Sequence, residues 1–304
     1  MFKKFIYILI IPNSSIGLFA QEPKFTQFYA APLYLNPAFT DLTYMHLFTA
    51  NYLNQWPGIK TAFTTYMATY DYNVSNMNSG IGGFILQDRS STSNLVTTMG
   101  GVNYAYCVKV WKYSECRGGV SLVMNQMEID NTKLIFNHKF ITGSSVSQDA
   151  LALDKVSYFD LGLGALFNST NYWIGFSGRH LYQPNESMVC NIERLTISGS
   201  IHGGYRYIIT ARGSGKTKLE EFVSASFNIR HELKYDQLDI GAYYFKSFVN
   251  VGLWYRGLPV KKYKPGYPNR ESLALLVESE IPDKNFRVGY SYDATISNLK
   301  INNT

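Results

Sequence analysis

The side chains best able to do chemistry in this chain are scattered, and their spacing excludes more than it allows. His46, His138, His180, His202 and His231 show no HExxH or paired-histidine spacing that would aim two imidazoles at one metal. Cys107, Cys116 and Cys190 lack the short CxxC intervals of a zinc site. Alternation places Cys107 and Cys116 on opposite faces of adjacent strands, which argues against a bridge, so a packing role is expected for them. No GxSxG turn occurs. The nearest approach to a hydrolase constellation is His202 with Ser198 or Ser200 on one strand face, and that face must be polar in any case. GSGK at 213–216 lacks the full phosphate-loop spacing and reads as a flexible turn. No catalytic, metal or cofactor residue is assigned, and a non-enzymatic protein is expected.

The elements that position these residues are legible from a period of two. Leu195, Ile197, Gly199, Ile201, Gly203, Tyr205, Tyr207 and Ile209 fall on one face of a strand. Thr196, Ser198, Ser200, His202, Gly204 and Arg206 fall on the other. A strand of this length exceeds the roughly 5–6 residues usual in globular sheets. It matches the roughly 9–11 residues of a tilted strand that crosses a bilayer with lipid on one side and a wet lumen on the other. Charged residues are 16%, below the roughly 25% of soluble domains, while 24 tyrosines suit interfacial girdles. The competing reading, a soluble Tyr-rich β-sandwich, does not accommodate so many long strands. No apolar stretch is long enough for a transmembrane helix. The net charge of +6 forms no basic stripe, which excludes nucleic acid as a partner.

Residues 1–20 read as a signal peptide, with Lys3 and Lys4 before the apolar Phe5–Ile11 and a cleavage site after Ala20. Residues 21–43 carry Pro23, Pro32 and Pro37 and no period, so an extended segment is expected that plugs the lumen, pairs an edge or reaches a partner. Residues 44–304 read as an all-β, transmembrane outer-membrane β-barrel with about 13 alternating segments. The long connections 128–154, 182–193 and 258–271 fall on one side of the membrane, and mostly tight turns on the other. Single-chain barrels have even strand numbers, so a parent of about 14 strands whose last strand is missing is expected.

Functional candidates fall in two places. Arg179 to Asn185 lies where a strand leaves the membrane, and His180, Gln183, Pro184 and Asn185 are expected to start a structured loop that braces the exterior or holds a partner. Gln27, Phe28, Asn36 and Pro37 pose the same choice for the N-terminal segment. Arg206, Arg230, Trp254 and Arg256 are expected on the lumen face, with Arg256 paired to Glu278 or Glu280.

Four stretches resemble one family. QFYAAPLYLNPAFT (27–40), IGFSGRHLYQPNES (174–187), GLWYRGLP (252–259) and VGYSYDATIS (288–297) are similar, in order, to the PorP/SprF family of type IX secretion system membrane proteins. The family pattern continues into one more strand with a His-Glu pair, and it usually carries Gly where this chain has Asp41. The resemblance implies an outer-membrane barrel working with type IX secretion or gliding components. Such a barrel would assist export or surface anchoring of a cargo protein through its C-terminal domain. The alternative is a passive porin or hydrophobic-substrate channel.

Overall fold

The computed structural model describes Phe25 and residues 30–42, 45–55, 63–90, 94–129, 154–188, 192–212, 219–232, 235–258, 271–281 and 285–296. The expected signal peptide, Gln27, Phe28, His138, Cys190 and most of the long connections lie outside these residues. Two short turns come first, the helix α1 (Pro32–Leu35) and a 3-10 turn (Pro37–Phe39). Thirteen strands follow: β1 (His46–Gln55), β2 (Phe63–Val74), β3 (Ser79–Ser90), β4 (Leu95–Trp111), β5 (Ser114–Ile129), β6 (Lys155–Ser169) and β7 (Tyr172–Arg179). After these come β8 (Ser198–Arg212), β9 (Leu219–Glu232), β10 (Tyr235–Lys246), β11 (Val249–Gly257), β12 (Ser272–Ile281) and β13 (Phe286–Thr295).

The strands form one antiparallel sheet in strict sequence order, β1 to β13. The sheet is not closed, and β1 and β13 are its two edges. No helix among the described residues is long and apolar enough to cross a membrane. Alternation decides which side chains point where. On the convex face Phe48, Ile85, Leu122, Phe159, Leu253 and Leu275 are all more than half exposed. On the concave face Thr65, Asn103, His202, Asn228 and Trp254 are almost fully buried. An apolar exterior around a polar interior is the inverse of a soluble protein and is what hydrocarbon solvent selects. Aromatic rings gather on the convex side near the short turns: Tyr70, Tyr72, Tyr104, Tyr106, Trp111, Tyr172, Tyr205 and Tyr207. Some are in ring contact, Trp111 with Phe167 at 6.1 Å and Phe167 with Tyr172 at 5.9 Å. Amphipathic rings belong at that depth, where an apolar body meets lipid and a hydroxyl meets water.

The period-two stretch at Leu195–Ile209 is realised with two differences. Residues 195–197 lie outside the strand, which begins at Ser198, and a bulge between Ile208 and Thr210 shifts the β8–β9 register. Ile208 and Ile209 are consequently both exposed, because an extra residue turns the next side chain to the opposite face.

A buried cation on the lipid side would have no partner. Leu122→Arg, near the middle of β5, is expected to cost about 2–4 kcal/mol of folding free energy in lipid vesicles, read by urea titration.

Candidate functional site: a plug seated in the lumen

Residues 30–42 pack against the concave face. An extended segment was expected there, but two prolines start two turns instead. Pro32 and Pro37 supply the fixed φ and the missing N–H that the first position of a turn tolerates. Between them Asn36 is extended, with φ −154° and ψ 120°, and its Oδ1 caps the second turn by accepting the Ala38 N–H at 2.8 Å. The resulting kink buries Leu33, Leu35 and Ala38. It brings this short segment within reach of strands from both halves of the sheet. Ala30 accepts from Asn51 on β1, Leu33 from Asn103 on β4, and Leu35 packs with Trp254 on β11 and Ala274 on β12. One short peptide can touch β1, β4, β11 and β12 together only if the sheet curls around it.

Asn36, fully buried, is the centre of the seat. Its Nδ2 donates to the carbonyls of Ala165 on β6 and Phe176 on β7, both at 3.1 Å, and lies 3.1 Å from His202 Nε2 on β8. The remaining bonds fix the imidazole tautomer. Ser177 Oγ donates to the Leu35 carbonyl at 2.8 Å, so Ser200 must donate to Ser177 and His202 Nδ1–H to Ser200. Nε2 is then left as an acceptor that shares the two Asn36 Nδ2 protons with the two carbonyls, and the neutral ring closes a loop that begins and ends on the plug. Phe39 stacks on the same imidazole at 5.5 Å and meets Trp173 edge-on.

Glycines make the seat. A Cβ at Gly119 would collide with the Pro37–Ala38 backbone, one at Gly164 with Asn36 Oδ1, and one at Gly175 with His202. At the far end Arg117 holds the plug by donating to the Thr40 and Asp41 carbonyls at 2.7 and 2.9 Å, with Glu115 3.3 Å away. Asp41 sits in the left-handed region at φ 65°, a conformation Gly adopts without cost and Asp tolerates better than most residues. Burial pushes its carboxyl above the usual 3.8 and outweighs the opposing contributions of Asn73 and Arg117.

The other sequence candidates are placed as follows. His180, buried and at φ 59°, has Nδ1 2.7 Å from Asp160 Oδ2 on β6. Gln183, at φ 48°, closes a turn by donating its N–H to the His180 carbonyl, and Pro184 is buried. Asn185 Oδ1 accepts from the Glu193 and Ser187 N–H groups, and its backbone bridges to Arg194. Residues 180–187 thus form a braced loop. Trp254 is buried on the concave face and Arg230 lies beside plug residue Tyr34. Arg206 has the concave parity but is exposed, its guanidinium 4.7 Å over Phe222. Arg256 does not pair with Glu278 or Glu280. Its Nε lies 3.3 Å from Asp239, its direct register partner on β10, and its Nη1 reaches 2.6 Å from Asp293 on β13, across β12. Glu278 and Glu280 face Arg287 instead. Arg117, Gly119, Gly164 and His202 were not singled out as a seat. Glycines of lumen parity on successive strands were the available signal.

The sequence model for the type IX secretion system membrane protein PorP/SprF matches residues 18–304. No curated protein matches the chain.

Asn36→Ala is expected to loosen the plug by about 1–3 kcal/mol, read as faster hydrogen exchange of residues 31–40 with strand amides unchanged. Gly119→Ala should do the same, whereas Gly118→Ala, whose Cβ meets nothing within 4 Å, should not. The raised carboxyl of Asp41 contributes stability below the ordinary carboxylate value and loses it as pH rises through the elevated one. Asp41→Asn keeps the left-handed conformation accessible. Its thermal stability relative to the wild type should be lowest at and below about pH 4 and should grow as pH rises above that value. A difference that shrinks with rising pH would contradict this.

Proposed function

Because the chain belongs to the PorP/SprF family of type IX secretion system membrane proteins, we propose that it is a non-enzymatic outer-membrane barrel that assists the export or surface anchoring of specific, adhesin-type cargo proteins. Its partners in this reading are type IX secretion components and the C-terminal domain of a secreted cargo. The observation that carries it is the seated plug: Asn36, bonded to β6, β7 and β8, stands across the lumen where a diffusion channel would need open space. That geometry favours a scaffold over the passive porin. The braced loop at His180, Gln183, Pro184 and Asn185 is the proposed docking surface on the outer side. Gln27 and Phe28, just before the plug, are proposed as its continuation toward a periplasmic partner, and Asn36 and Pro37 as its anchor. The signal peptide and the three-part division at residues 20 and 43 belong to the same proposal.

Deletion of the gene is expected to remove one or a few surface proteins while uptake of small solutes stays normal. In planar bilayers the purified protein should be nearly silent. Steady porin-like conductance, or an uptake defect with normal secretion, would favour the channel instead.

A further inference from the structure

A recess lies between the plug and the wall where β7, β8 and β9 adjoin the connection 180–197. Tyr34 and Leu35 line it from the plug, and Arg179, Ser198, Ser200 and Arg230 from the wall. The described concave-face arginines Arg117 and Arg256 each have a carboxylate within 3.5 Å. Arg230 has no hydrogen bond or ion pair among the described residues. The nearest carboxylate on the same face of β10, Asp239, is already engaged by Arg256, Gln237 and Asn228. Glu232, the register partner of Ser198, does not line the recess. The N–H groups of Arg230 are therefore available to bond an anion, with Asp239 acting on the guanidinium only at longer range.

The hydroxyls sharpen the choice of ligand. Ser177 and Ser200 have their protons committed along the chain that ends on the Leu35 carbonyl. Ser198 is only 3% exposed, and its hydroxyl has no partner among the described residues, so it is the one free to donate. The Arg179 guanidinium lies 4.6 Å over the Tyr34 ring and adds positive potential. A planar fork on Arg230 with one hydroxyl beside it matches a carboxylate, which accepts two parallel N–H bonds.

We propose that this recess is a carboxylate-binding site, with Arg230 and Ser198 as its donors and Arg179 as its electrostatic support. Tyr34 and Leu35 belong to the plug and Arg230 to the wall, so an occupied site ties one to the other. The carboxylate is either a free small acid or one presented at a peptide's end. The site does not depend on the secretion reading.

The test uses the full chain in detergent micelles, following hydrogen exchange of residues 31–40 during titration with sodium acetate. Sodium methanesulfonate at matched ionic strength serves as the tetrahedral control. Acetate is expected to slow exchange saturably and methanesulfonate is not. Arg230→Gln should move the midpoint by about tenfold or more, and Ser198→Ala by about threefold. Equal effects of the two anions would overturn the site. So would an unchanged midpoint in Arg230→Gln or, should that variant fail to fold, in the near-isosteric Ser198→Ala. N-acetylglycylglycine binding more tightly than acetate would assign the site to a peptide carboxyl end, and equal binding to a free acid. Equal binding by its amide would overturn the proposal.

Discussion

Inside hydrocarbon no water is present to satisfy a peptide N–H or C=O, and every other feature of this protein follows from that constraint. Strands that pair with sequence neighbours meet it for β2 to β12, and the order β1 to β13 leaves only the outer edges of β1 and β13 outside the ladder. Once the backbone is committed to the ladder, only side chains can distinguish the two faces. A period of two sorts them completely. Leu122 and Leu275 go to lipid while Asn103 and His202 go inward, from sequences that differ only in phase.

A polar concave face then creates a second requirement, because buried amides, hydroxyls and imidazoles need partners of their own. The plug supplies many of them. Asn36 answers two strand carbonyls and one imidazole, and Arg117 answers two plug carbonyls. The glycines of β5, β6 and β7 let the backbones approach closely enough for these bonds to form. Plug and wall are therefore one hydrogen-bonded unit. His202 joins two of its parts, since its Nδ1 side feeds the serine chain and its Nε2 side faces Asn36.

Charge is distributed unevenly around this unit. Arg117 and Arg256 are each held between carboxylates, and Arg256 bridges β10 to β13 across β12. Arg230 stands apart with Ser198 beside it.

Strand number, strand order and the sorting of faces were already determined by sequence, because each depends on alternation and on local turn residues that act over a few positions. The parity of Trp254, Arg230 and Arg256 followed from the same rule. Sequence alone did not determine what meets what across the lumen. The reach of Arg256 across β12 to Asp293, the bulge that exposes both Ile208 and Ile209, and the turns at Pro32 and Pro37 depend on strand stagger and on how far the wall curls. These distances are set by many strands together. Asn36 is an ordinary turn residue in sequence, and it becomes the latch only when β6, β7 and β8 bring two carbonyls and an imidazole to the same point.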